Sequence, residues 1–136
     1  MIKPIMKSEF FLRLPSEDAG PDDAATGQDL LDTLHEHEHE CVGLAANMIG
    51  VRKRIICVKD GSKSLLMYNP QILEQVNAYQ TSEGCLSLIG ERPCTRYRRI
   101  KVEYLDENFV HRIKNFSDYT AEIIQHEIDH CNGVVI

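Results

Sequence analysis

The sequence has no apolar run approaching the roughly 20 residues needed to cross a bilayer as a helix, which excludes a membrane-spanning reading. Its opening, Met1-Ile2-Lys3-Pro4, lacks the apolar centre of a secretory signal. Positive charge is also in short supply: 15 lysines and arginines against 21 acidic residues leave a net charge of -6. That balance gives no general electrostatic reason to bind nucleic acid or an acidic membrane. The five cysteines, at 41, 57, 85, 94 and 131, are odd in number and lack paired spacing, so a disulfide scaffold is not expected. There is no internal repeat, low-complexity tract or linker. A soluble, cytoplasmic protein of one domain spanning residues 1–136 is the expectation.

What is present is periodic. Gly27 to Glu40 reads as a helix, with Leu30, Leu31 and Leu34 forming one apolar stripe. Before it, residues 1–24 read as an irregular lead-in broken by Pro15 and the Gly20-Pro21-Asp22-Asp23 turn signal. Val51 to Lys59, Ser64 to Tyr68, Ile72 to Tyr79, Ile100 to Leu105 and Phe109 to Ile113 read as strands, with Asn69-Pro70 ending the second and Asp106-Glu107-Asn108 turning a hairpin. The basic stretch Arg96 to Lys101 alternates with Tyr97, Ile100 and Val102, as the solvent side of a strand would, and is the one local place for nucleic-acid or ribosome contact. A last helix begins at Ser117 or Asp118, either able to cap it, and runs through Ala121, Ile124 and Ile128 to Asn132-Gly133. The predicted fold is α+β: a single domain of mostly antiparallel sheets packed around a central C-terminal helix, with one N-terminal helix.

That last helix carries His126-Glu127-Ile128-Asp129-His130. Residues four apart project from one helix face, so His126 and His130 can grip one metal ion, and Glu127 lies within reach of the proton of a bound water. Two histidines leave a catalytic ion one protein ligand short. Cys85 is the candidate third, set in Glu83-Gly84-Cys85-Leu86-Ser87 rather than in an apolar run. A third segment, Gly43 to Gly50, is made of small residues bracketed by glycines, which lets backbone approach a ligand closely. His35 to Glu40 alternates histidine with glutamate, and reads as the solvated end of the first helix more readily than as a metal tract.

Together these segments resemble the peptide deformylase family, whose signatures run GxGxAAxQ, EGCLS and QHExDH. Here they stand as Cys41 to Met48, Glu83 to Ser87 and Gln125 to His130. The resemblance implies one divalent ion held by Cys85, His126 and His130, often Fe2+ and replaceable by Zn2+, Ni2+ or Co2+. It implies hydrolysis of the N-formyl group of formyl-methionyl nascent peptides by metal-bound hydroxide, with Glu127 as general base and acid. The backbone N–H of Leu86 is the implied oxyanion donor. By position Val42, Gly43, Leu44 and Ile123 would bind substrate, the aliphatic ones around the methionine side chain and Gly43 beside the peptide backbone.

Two residues of the first signature differ. Cys41 replaces its leading glycine, and Met48 stands where the family places the glutamine whose amide also serves the oxyanion. A thioether has no N–H to give, so weakened turnover is expected unless Asn47 swings in as donor. Glu122 is a further departure, an acid where an apolar residue would line the pocket. Relatives continue beyond the position of Ile136, which puts oligomerisation in play through an uncovered apolar face. Two other readings stand beside the deformylase: a silent relative that binds formyl-peptide, and a zincin-type metallopeptidase resting on HExxH alone.

Overall fold

Alternating apolar residues in the middle of the chain pair into a sheet, and that sheet sets the place of everything else. The computed structural model describes residues 1–135. Its strands are β1 (Gly43–Ala45), β2 (Ile55–Asp60), β3 (Lys63–Glu83), β4 (Arg92–Leu105) and β5 (His111–Ser117). They form one five-stranded sheet in the order β1-β2-β3-β4-β5, every neighbour antiparallel. The helices are α1 (Glu9–Leu12), α2 (Ala24–Glu36) and α3 (Asp118–Cys131). The fold is thus α+β, with the expected antiparallel strands gathered in one sheet. No helix among the described residues is long and apolar enough to cross a membrane.

Ile55, Ile56, Cys57 and Val58 of β2 are all fully buried, so both faces of this strand are covered. Cys57 Sγ lies 3.7 Å from the Leu30 carbonyl of α2, so by alternation Ile56 and Val58 face the opposite side, where α3 packs. Leu30 and Leu34 supply the buried stripe of α2, while Ala121, Ile124 and Ile128 supply that of α3. The apolar layers on either side of β2 therefore fix α3 across the sheet. Each buried Leu or Ile contributes about 1.5–3 kcal/mol to that placement.

Several boundaries differ from the predicted ones. Ser64 to Tyr68 and Ile72 to Tyr79 are one strand, β3, which bends where two were expected. Asn69 adopts a positive φ of 53°, and the register shifts between Tyr68 and Gln71 and again between Ile72 and Glu74. Asparagine tolerates this left-handed conformation, and a bulge accommodates the proline's missing donor, so the ladder kinks without ending. The bend is anchored by Asn69, which accepts from the Ala19 N–H at 2.7 Å and donates to the Ala19 carbonyl at 2.9 Å. α2 starts three residues before Gly27 and ends at Glu36, because His37 to Glu40 offer no apolar residue to hold a further turn against the sheet. The lead-in contains α1, capped by Ser8 Oγ at 3.2 Å from Phe11 N, and a 3-10 turn at Pro21–Asp23. β2 begins at Ile55 rather than Val51, β4 extends back to Arg92, and the hairpin strand β5 starts at His111, past the turn Phe109 helps to close. Ser117 precedes α3 without a side-chain capping bond, and Asp118 opens the helix at a φ of 54°.

Candidate metal centre

α3 is amphipathic in an unusual sense: the side it buries carries Gln125, His126, Glu127 and His130 as well as isoleucines. Buried polar groups require partners, and the end of β3 provides them for one histidine. His126 Nδ1 donates to Glu83 Oε1 at 2.8 Å, which turns Nε2 the other way. Glu83 is gripped in turn by Arg96, through Nε at 3.1 and 3.0 Å and Nη2 at 2.7 Å. Arg96 Nη1 reaches Asp129 Oδ2 at 2.7 Å. One guanidinium therefore ties the strand end bearing Cys85 to the helix bearing both histidines.

This corrects the reading of Arg96 as a solvent-facing residue of a basic strand. Only 4 % of it is exposed. The signal was present in the sequence: Glu83 and Asp129 belong to the two motifs, and two carboxylates brought inside a fold require a cation. Sequence reasoning also missed Tyr79, whose hydroxyl donates to Glu122 at 3.1 Å on the flank of the same network.

Cys85 Sγ and a ring nitrogen from each of His126 and His130 lie within 4.8 Å of one another. His126 Nε2, both nitrogens of His130, and Glu127 Oε1 are buried without a hydrogen-bond partner in the protein. Burial, with His126 and Arg96 nearby, pushes His130 down to about 3, leaving a neutral imidazole with one free nitrogen lone pair. Burial alone would raise the Cys85 thiol, but the neighbouring His126 ring and the Leu88 and Ser87 backbone outweigh it and hold the thiol below its usual value. Burial likewise pulls His126 down, and is overcome by Cys85 and Glu83, which lift it to about 10. Burial raises Glu127 to about 7, against the opposing pull of His126. A sulfur inclined to ionise, a neutral imidazole and a second imidazole oriented by a carboxylate are the donors a divalent transition-metal ion takes, with a fourth position left open. The residues fit such an ion.

Cys85, His126 and Glu127 open on a cavity of about 650 Å³, with His130 fully buried behind them. Val42, Gly43, Leu86 and Ile123 line it, whereas Leu44 is fully buried in the core and does not. Gly43 is required by space: a Cβ there would stand 2.7 Å from Ile123 Cγ2 and 2.9 Å from Glu127 Oε2. Met48 also lines the cavity, 1 % exposed, and its sulfur accepts weakly from the Ala45 N–H at 3.5 Å. Asn47 does not stand in for the missing donor, since its amide is committed to the His130 carbonyl at 2.9 Å and the Leu12 carbonyl at 3.4 Å. Glu38, His39 and Glu40 are exposed, as expected of a solvated tract, and also border the cavity mouth.

The fold and this donor set define a class: a hydrolase whose HExxH helix and strand-end cysteine offer three ligand atoms to one metal ion. The polypeptide deformylase family profile matches residues 6–136. A peptide deformylase of Clostridium beijerinckii is 50 % identical over 136 residues, all of both chains, and peptide deformylase 1 of Clostridium perfringens is 39 % identical over 111 residues, 79 % of this chain and 74 % of the relative. Among solved structures, the Thermotoga maritima peptide deformylase superposes with a TM-score of 0.89 at 28 % identity, covering 99 % of this chain and 95 % of that one. A Met-Ala-Ser-bound class I type b peptide deformylase of Acinetobacter baumannii gives 0.87 at 27 % identity, covering 99 % and 96 %. The chain belongs to the peptide deformylase family, whose members are metalloenzymes.

Proposed function

We propose that this protein removes the N-formyl group from formyl-methionyl peptides, and that Cys85, His126 and His130 hold the divalent ion the reaction needs. The observation that carries the reading is the convergence within 4.8 Å of Cys85 Sγ and buried, unpartnered ring nitrogens of His126 and His130, beside a cavity that Cys85 and His126 line. A divalent ion held there supplies Lewis-acid polarisation and water activation. Fe2+ is our choice for the native ion, with Zn2+, Ni2+ or Co2+ able to replace it.

Glu127 takes the proton of the attacking water and delivers it to the departing α-amine. Its elevated proton affinity, about 7, suits a group that must both accept and release a proton near neutrality. Arg96 and Glu83 position His126 from behind and touch no substrate. The Leu86 N–H donates to the oxygen of the reacting formyl group as charge develops on it, and Met48 beside it contributes no second donor. Val42 and Ile123 pack against the methionine side chain, while Gly43 leaves an edge of β1 for the peptide backbone to pair with. Leu44 acts from the core, by holding β1 in place. We assign the nascent chains of the cytoplasm as the substrate pool; transient ribosome contact and self-association belong to the same reading.

Protein loaded anaerobically with Fe2+ or Ni2+ is expected to release formate from formyl-Met-Ala-Ser and to leave casein intact. Failure with every metal tested would overturn the activity, and cleavage of casein would favour an endopeptidase.

A further inference from the structure

Two consecutive residues of the lead-in bind the two segments that carry Met48 and Leu86. The Met6 N–H donates to the Met48 carbonyl at 2.7 Å, and Lys7 Nζ donates to the Leu86 carbonyl at 2.6 Å. The Lys7 side chain starts from a fixed point. On one side stands the bond from Met6 to Met48, and on the other Ser8, whose Oγ caps α1. Glu9, the first residue of α1, meets Arg92 Nη2 at the start of β4 at 3.5 Å.

The Leu86 end has need of such a hold. Residues 84–91 join β3 to β4 and belong to no helix or strand, so no ladder places Leu86. Ile89, near the tip, is fully exposed and pins nothing. The bond from Lys7 is charge-assisted, a kind roughly twice as strong as a neutral one. No acid competes for the ammonium: the lysines in ion pairs among the described residues are Lys3, Lys53, Lys59 and Lys101. Holding a carbonyl restricts the swing of the residue that bears it. The N–H of that same residue, Leu86, is the one assigned to the reacting oxygen, and the Met48 side chain offers no second N–H to share its task.

We propose that Lys7 is a positioning residue of the reaction, keeping the Leu86 N–H aimed at the formyl oxygen as charge develops on it. The inference rests on the deformylase reading and adds a residue to it. Lys7 does not line the cavity and acts only through the Leu86 backbone. Its effect therefore falls on the transition state and belongs in kcat rather than KM.

The test compares kcat and KM on formyl-Met-Ala-Ser, at equal metal content, for the parent, Lys7→Met and Lys7→Arg. Removing an oxyanion donor outright costs about 10²- to 10³-fold, and a misplaced group on the order of 10²-fold. Loosening a donor that is still present should cost less, on the order of tenfold in kcat for Lys7→Met, with KM nearly unchanged. Lys7→Arg, which keeps a charged donor, should restore most of the loss. Hydrogen exchange of the Leu86 amide should quicken in Lys7→Met while the amides of β2 keep their protection, a pattern that a general loss of stability would not give. An unchanged kcat in Lys7→Met, a loss that falls in KM alone, or Lys7→Arg no better than Lys7→Met overturns the proposal. Should Lys7→Met be too unstable to assay, Lys7→Gln takes its place, and an unchanged kcat with unchanged Leu86 exchange overturns the proposal there. If the parent itself hydrolyses no formyl peptide, the deformylase reading falls and this proposal with it.

Discussion

Replacing Met48 by glutamine should make this protein faster. Met48 is almost fully buried, lines the cavity, and its sulfur interacts with the protein only through a 3.5 Å contact from the Ala45 N–H. Glutamine has the same chain length but ends in a planar fork in place of the linear thioether, so the repacking needed is local. It brings two N–H donors to a wall that now offers a thioether. In hydrolases, removing one oxyanion donor costs about 10²- to 10³-fold in rate, or ~2.7–4 kcal/mol of transition-state stabilisation. Restoring one should recover a large part of that. The opposing effect is on stability: without peptide bound, the new amide is buried and incompletely bonded, at a cost of about 1–3 kcal/mol. The expected result is a rise of about 10²-fold in kcat/KM for formyl-Met-Ala-Ser, mostly in kcat, with a modestly lower melting temperature. Metal content must be equal in the two proteins. An unchanged kcat at equal metal content refutes the reasoning, and would mean that charge on the reacting oxygen is met without position 48.

Two further outcomes follow from the same geometry. Gly43→Ala places a Cβ 2.9 Å from Glu127 Oε2 and 2.7 Å from Ile123 Cγ2, so both must move; displacing a reacting group by about an ångström costs on the order of 10²-fold, and kcat should fall accordingly while metal content stays the same. The pH dependence of metal-free stability contains a separable His130 contribution. His130 is pushed down to about 3 from an unfolded value of 6.5, so its contribution is complete above 6.5 and is lost progressively as pH falls toward 3, while Glu127, raised to about 7, contributes with the opposite sign over the same range. Melting of EDTA-treated protein between pH 7 and pH 4 checks this: on going to pH 4 the midpoint of His130→Gln should rise relative to that of the parent, and parallel profiles would contradict the assignment.

The elements legible in the sequence were those with a local signature. The apolar stripe of α2 and the motif on α3 depend on neighbours three and four residues away, so periodicity exposes them. That Cys85, His126 and His130 come together was legible because residue chemistry at helical spacing called for a third donor, and Cys85 stood in a polar setting. What stayed hidden depends on pairing across the sheet. Nothing local says that β3 runs straight through Asn69-Pro70, since the bend is held by Ala19, fifty residues away. Arg96 was misplaced for the same reason. In a strand with arginines at 96, 98 and 99, alternation alone cannot say which one the fold turns inward. Leu44 shows the reverse limit: position in a signature suggested substrate contact, yet the side chain next to Gly43 alternates into the core.

The buried position of Arg96 bears on how the metal centre is built. In a small zinc-dependent module the ligands converge only when the ion draws them together, so binding energy is folding energy. Here the ligand-bearing segments are far apart in sequence, but their approach is fixed by other means. The isoleucines of α3 pack against β2 and β4, and the guanidinium of Arg96 joins Glu83, two residues before Cys85, to Asp129, one residue before His130. With 5 % and 9 % of their side chains exposed, Arg96 and Glu83 form a pair whose rupture would strand a charge inside the protein. The same carboxylate orients His126. The segments that carry Cys85, His126 and His130 are thus tied together by contacts that need no ion. The unpartnered nitrogens of His126 and His130 are costly to bury, a cost that a coordinated ion would offset.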